Sequence, residues 1–282
     1  MEIGKTANLI IDVARCEGCN ACFLAEKDEH VDNDFLPYAL AQPRHGHRWI
    51  DVLSKERGRF PMVDVAYLPT MCNQCRKPSC MGVGPDGAVY QRPDGIVIID
   101  PAKAKGCREI VDACPYGHIW WNEEQQIPQK YIMNAHLLDA GWKEPRAAQA
   151  CATGAITFVR IEDAEMEKLA VKEGLQVLRP ELGTGPRVYY KHLYRFTHAF
   201  VGGSLSILVD GVEECAEGAT IFLFKDGKKI AETRSDNYGD FKIDGLLENS
   251  GRYLMEARYP GREKVSVEVE IRQSVYLGTI LL

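Results

Sequence analysis

Three cysteines stand at strict intervals of three in Cys16-Glu17-Gly18-Cys19-Asn20-Ala21-Cys22. A thiolate at every third residue lets one short turning loop wrap its sulfurs around a cubane of iron and sulfide. Such a run supplies three ligands and a cubane takes four. Whatever this chain folds into must therefore deliver a further cysteine to the loop from a distant stretch.

The other cysteines bear on that demand. A second run, Cys72-Asn73-Gln74-Cys75-Arg76-Lys77-Pro78-Ser79-Cys80, has C-x2-C-x4-C spacing. The proline in its longer gap is expected to hold a tight open loop whose amides can donate to cluster sulfurs. Cys114-Pro115 then has the form that closes a ferredoxin run, the proline turning the thiolate inward. Counting back from Cys114 in the C-x2-C-x2-C-x3-C-P frame lands on Ala104, Cys107 and Ile110. That frame cannot assemble its own cluster, yet Cys114 can serve one built by another run, and the set Cys72, Cys75 and Cys80 lacks a fourth member. The corresponding fourth positions of the first two runs are Glu26 and Gly84, the latter still followed by Pro85. A hard carboxylate suits soft iron-sulfur chemistry poorly, which disfavours Glu26 as a ligand. Cys151 precedes a small-residue turn and the apolar run 155–159, a strand able to return beside the first loop. Cys215 lies alone in a β-rich region and reads as a structural or exposed thiol.

Composition narrows the chemistry. Nine of the ten cysteines precede residue 152, which suits metal or redox sites better than a disulfide scaffold. Acidic residues outnumber basic ones, 40 to 34, so no overall positive field exists for nucleic acid or anionic lipid. No apolar run approaches the roughly 20 residues that cross a bilayer, and direct membrane insertion is not expected. The first residues carry no secretory signal pattern, and the chain is expected in the cytoplasm.

Along the chain, residues 7–13 read as a strand and 22–30 as a short helix. His45 and His47 flank a glycine between arginines that would repel a cation, so a structural or partner-facing role is favoured. Residues 86–101 read as a hairpin turning at Pro93-Asp94-Gly95, 159–178 as helical, and 179–185 as a linker. The aromatic stretch 189–196 suits either packing or a partner surface. From about Leu205, seven β-rich runs alternate with turn signals, the mark of a sandwich with no catalytic constellation. The expected fold class is α+β, with a ferredoxin-like iron-sulfur domain over 1–198 followed by an all-β immunoglobulin-like sandwich over 199–282.

Several stretches carry a specific resemblance: the Cys16–Cys22 run, Arg48-Trp49, the Cys72–Cys80 loop, Gly87-Ala88-Val89-Tyr90-Gln91-Arg92, Cys114-Pro115-Tyr116-Gly117, Trp121-Asn122-Glu123-Glu124, Ala135-His136-Leu137-Leu138-Asp139 and Pro186-Arg187-Val188-Tyr189-Tyr190-Lys191. With the terminal sandwich, they resemble the four-cluster ferredoxin subunits that accompany molybdenum-pterin oxidoreductases, and among these the transhydroxylase small subunits. In that family run one pairs with run four, and run two with run three. The resemblance implies two complete ligand sets here, Cys16, Cys19, Cys22 and Cys151 for one [4Fe-4S] cluster, and Cys72, Cys75, Cys80 and Cys114 for another. It also implies coordinated losses. The four ligands of a further cluster would fall at Glu26, Tyr131, Asn134 and Ala147, and none is cysteine. Gly84, Ala104 and Ile110 likewise leave Cys107 without companions.

By the same resemblance the partner is a large catalytic subunit holding a molybdenum-pterin cofactor. The two would form a heterodimer, open to higher assembly, that moves hydroxyl groups between phenolic rings, pyrogallol to phloroglucinol, without net oxidation. Two alternatives stand beside this reading: an electron-transfer subunit of a net redox molybdenum enzyme acting on phenols, and a zinc-binding structural module. Zinc sites of four thiolates usually join two C-x2-C pairs, whereas here triplets are each completed by one remote cysteine.

Overall fold

A computed structural model describes residues 4–282. It divides into two compact units, one running to Leu53 and resuming over Tyr67–Leu193, the other made of Ser54–Ala66 and Tyr194–Leu282. Strand predominates, and the helices are few and mostly a single turn.

In the first unit, β1 (Thr6–Asp12) leads into the first cysteine loop and α1 (Ala21–His30). A long hairpin, β2 (Ile50–Arg59) and β3 (Met62–Met71), starts in this unit, gives its middle, Ser54–Ala66, to the other, and returns to end at the second loop. Two short hairpins follow, β4 (Val89–Gln91) with β5 (Val97–Ile99), and β6 (Trp120–Asn122) with β7 (Ile127–Gln129), with α2 (Glu109–Asp112) between them. The short helices α3 (Ala135–Asp139) and α4 (Arg146–Gln149) precede β8 (Ile156–Ile161), and α5 (Asp163–Glu173) precedes β9 (Val188–Lys191).

The central sheet has the order β8-β1-β9. Ala7, Leu9 and Ile11 alternate into the core along β1 and are fully buried, the period-two pattern that marks a strand. β8 lies antiparallel to β1 with Thr6 opposite Ile161 and Ile11 opposite Ile156. That pairing takes residues up to Ile161 into the sheet, so the helical pattern expected from residue 159 is realised only in α5. Gly174 ends α5 in the left-handed conformation, φ 63°, that usually caps a helix. Tyr189 and Tyr190 are core residues of this unit, and the Tyr190 hydroxyl donates to the Pro69 carbonyl at 3.0 Å.

The second unit opens with the short helix α6 (Tyr194–Thr197) and continues as strands only: β10 (Ala199–Val209), β11 (Val212–Cys215), β12 (Thr220–Lys225), β13 (Lys228–Arg234), β14 (Asp240–Leu246), β15 (Gly251–Arg258), β16 (Val265–Ile271) and β17 (Val275–Leu281). One sheet joins β11, β10 and β14, with β17 parallel to β10; the other has the order β13-β12-β15-β16. Val201, Leu205, Phe241, Ile221, Leu223 and Met255, drawn from both sheets, share one buried cluster, which makes the unit a β-sandwich.

Eight strands therefore stand where the sequence pattern marks seven. The eighth, β11, is four exposed residues with no apolar alternation, Val-Glu-Glu-Cys. β10 also begins six residues before the run read from Leu205. Gly202 and Gly203 interrupt its pattern, and at Gly202 a Cβ would meet the Phe241 carbonyl at 2.9 Å and the Met62 sulfur at 2.2 Å.

Segment 54–66 groups with this unit although it precedes it by more than a hundred residues in sequence. The Arg57 guanidinium, buried, is clamped between Asp64 at 2.7 Å and Asp244 at 2.5 Å. Burial acts to raise the Asp64 carboxyl, but Lys242, Arg57 and Arg195 around it hold it well below the usual carboxylate range. Among the described residues of either unit, no helix is long and apolar enough to cross a membrane.

Candidate metal centres

The β1–β8 pairing explains how a cysteine at 151 reaches a loop that starts at 16. Asp12 closes the ladder by donating its N–H to the Ala155 carbonyl at 2.8 Å, so the chain leaves β1 and enters β8 at the same end of the sheet. Arg15 then binds the Thr153 carbonyl at 2.5 Å, fastening the two loops together. Gly18 and Asn20 take left-handed backbone, φ 68° and 58°, which curls the run between its cysteines. A side chain at 18 would have no room, since a Cβ there would lie 2.5 Å from the Tyr67 ring.

Cys16, Cys19, Cys22 and Cys151 are thus brought together. Burial pushes the Cys22 thiol up to about 12, and Cys16, Cys151 and Cys19 each raise it further by repulsion. Burial raises Cys16 in the same way, opposed by a hydrogen bond from the Gly18 amide. The Ile156 amide donates to the Cys151 sulfur at 3.4 Å. Amides aimed at clustered sulfurs are what an iron-sulfur group requires around it.

The second set forms from the loop after β3, the turn after α2 and the hairpin β4–β5. Gln74, φ 47°, curls the C-x2-C turn, and its side-chain oxygen accepts from the Val97 amide at 2.8 Å. The Gln91 side chain holds the Cys75 carbonyl at 3.0 Å. Cys72, Cys75, Cys80 and Cys114 line one cavity together with Val97, Tyr116 and Ile119. Burial pushes Cys80 up to about 12 and Cys75 up to about 11, with Cys72 the next contributor in each case. The amides of His118, Tyr116 and Gly117 all donate toward Cys114. Burial disfavours the thiolate forms of these sulfurs, so a bound metal would have to supply the positive charge that stabilises them there.

The four positions without cysteine that the resemblance assigns to the first run's neighbouring cluster are buried. Glu26, Tyr131, Asn134 and Ala147 are all at most 1 % exposed. The Asn134 amide donates to Glu26 at 3.0 Å and lies 3.3 Å from the His30 ring, while His30 Nε2 is 3.1 Å from the other Glu26 oxygen. Asn134 also accepts from the Arg146 amide, next to Ala147, at 2.9 Å. Met133 and Asn134 take left-handed backbone, φ 51° and 45°. Burial, then Glu26, then Cys22 push the Tyr131 hydroxyl well above its ordinary value. This site is filled by a polar network.

The site around Cys107 is filled differently. Ala104, Cys107 and Ile110 belong to one apolar cluster with Cys80, Ala88 and Val89, and a Cβ on Gly84 would meet Ile110 at 3.2 Å. Cys215 is exposed on β11. His47 is structural: its Nε2 is 2.9 Å from the Trp121 carbonyl and its ring lies by Trp120. His30 and Lys130 carry no signal in the cysteine pattern. His30 is legible only as the residue one helical turn beyond Glu26, and Lys130 only as the neighbour of Tyr131.

Residues 63–161 match the 4Fe-4S dicluster domain family. Over 277 residues the chain is 44 % identical to the pyrogallol hydroxytransferase small subunit of Pelobacter acidigallici, covering 97 % of this chain and 98 % of that one. The chain belongs to the family of pyrogallol hydroxytransferase small subunits. Similarity to subunits of other enzymes covers a smaller share of the chain. The chain is 32 % identical to a tetrathionate reductase subunit of Salmonella typhimurium, covering 64 % of this chain and 70 % of that one. It is also 32 % identical to a sulfite dehydrogenase subunit of Allochromatium vinosum, over 64 % and 81 % of the two chains.

Proposed function

We propose that the chain is an iron-sulfur subunit carrying two [4Fe-4S] clusters and docked on a large molybdenum-pterin subunit that transfers hydroxyl groups between phenolic rings. The observation that carries the cofactor half is the convergence of four thiols on one pocket, with the amides of His118, Tyr116 and Gly117 donating toward Cys114. Cys16, Cys19, Cys22 and Cys151 would hold the first cluster, and Cys72, Cys75, Cys80 and Cys114 the second. Bound there, each cluster would supply reversible one-electron storage. The chain's own residues curl the loops, exclude water and point amides at the sulfurs.

The substrate half rests on family membership. Transfer of a hydroxyl from one ring to another leaves no net electrons to export, which suits a subunit with protein in place of cluster at Glu26, Tyr131, Asn134 and Ala147. The sandwich, read as immunoglobulin-like from its strand spacing, would bind the partner or stiffen the assembly. A second reading, electron transfer for a net redox molybdenum enzyme, is favoured by the reductase and dehydrogenase subunits among the relatives.

The complex purified with its large subunit distinguishes the two. We expect pyrogallol to be converted to phloroglucinol at the same rate with and without an added electron acceptor, and no turnover by this chain alone. Strict dependence on the acceptor, with rapid reduction of the Cys72 cluster by substrate, would overturn the transhydroxylase reading in favour of the second.

A further inference from the structure

Lys130 is 2 % exposed and among the largest fully buried side chains of the protein. A buried ammonium is costly unless something negative faces it. Among the described residues no carboxylate pairs with it. Its hydrogen-bond acceptors are two main-chain carbonyls, of Val97 and, at 3.3 Å, of Tyr131. Val97 lines the cavity of the second cysteine set, and the Gln74 side chain, between Cys72 and Cys75 in sequence, bonds both the Val97 amide and the Tyr131 carbonyl. The lysine is thus fixed against the wall of that cavity. Its charge reaches the sulfurs, favouring the thiolate form at both Cys80 and Cys75. Four thiolates outweigh the positive charge of a cubane, so the assembled centre is anionic, and each added electron makes it more so.

We propose that Lys130 is the buried counter-cation of the cluster held by Cys72, Cys75, Cys80 and Cys114, and that its ammonium raises the reduction potential of that centre alone. The proposal rests on the iron-sulfur reading of this cysteine set. Its sign follows from charge: a fixed cation stabilises the more negative, reduced form, and low local dielectric strengthens the effect. Among the described residues the first set has no such buried lysine. Lys130 is a positioning residue, acting on the centre through the field across the cavity wall.

The test is an EPR-monitored redox titration of the whole complex, with dithionite as the one-electron donor, comparing Lys130→Met, Lys130→Gln and Lys130→Arg. The glutamine keeps a donor for the two carbonyls and removes only the charge; the arginine keeps the charge. In the two neutral variants, at fixed potential, the reduced-to-oxidised ratio of one signal should fall at least tenfold, a downward shift of about 59 mV for a one-electron couple. The other signal should stay in place, and Lys130→Arg should titrate like the unaltered protein. Loss of the Cys72 cluster from both neutral variants with its retention in Lys130→Arg would also support the assignment. Unchanged midpoints in the neutral variants, equal shifts of both signals, or loss of the cluster from all three variants would overturn it. Iron content of the unaltered complex is measured first: protein without iron would refute the underlying reading, whereas full iron with unmoved potentials refutes only the role of Lys130.

Discussion

Replacing Cys151 by alanine should remove about four of about eight irons per chain, a loss confined to the centre at Cys16, Cys19 and Cys22. The variant touches a residue far from that loop in sequence, and the effect depends on the antiparallel pairing of β1 with β8, which sets Ile156 opposite Ile11 and brings both loops to one end of the sheet. Metal binding of this kind is coupled to folding. Without its cluster, the first set leaves Cys22 as a buried thiol among other thiols, with the Gly18–Asn20 curl unsupported, so the first unit should also melt earlier. The control is Cys215→Ala, which alters an exposed thiol on β11 and should leave iron and melting unchanged. Full iron in Cys151→Ala would show that the runs pair otherwise.

Tyr131→Ala should be among the most destabilising substitutions away from the cysteines. The ring is fully buried and stands where the family resemblance puts a cluster ligand. Truncating a buried aromatic typically costs about 3–5 kcal/mol, because the removed contacts are lost and the surroundings collapse only in part. Here collapse is hindered on one side by the hydrogen-bonded Glu26, His30 and Asn134. Destabilisation should appear as a lower urea midpoint followed by a probe in the first unit. Since a protein of two units with bound clusters need not unfold in one step, the midpoint is the quantity to compare. Iron should remain at the level of the unaltered protein. A midpoint unmoved by the substitution would mean that the ring does not fill the space.

Much of the first unit was legible because cysteine spacing, glycine and proline are strong local signals. The hairpin over 86–101 was readable from its Pro93-Asp94-Gly95 turn, and it forms as β4 and β5 with Tyr90 opposite Ile98. The strand after Cys151 was readable from its apolar run. What escaped the sequence depends on contacts between distant residues. The grouping of 54–66 with the sandwich rests on Arg57 meeting Asp244, and nothing in either local sequence announces the pair. β11 escaped because edge strands can be short and polar. The content of the lost-cluster sites escaped for a related reason. Absent cysteines can be counted, but whether Glu26 is solvated or locked against His30 and Asn134 is decided only by packing. Lys130 escaped too, because a lysine in a polar stretch is ordinarily at the surface.

The central claim is that two sites are complete and the others have been filled by protein. Iron and acid-labile sulfide, counted per chain on anaerobically purified complex after subtracting the partner's share, test it most directly. The account predicts about eight of each, two cubanes' worth; about twelve would require a third cubane where Tyr131 or Ile110 now packs, and would contradict it.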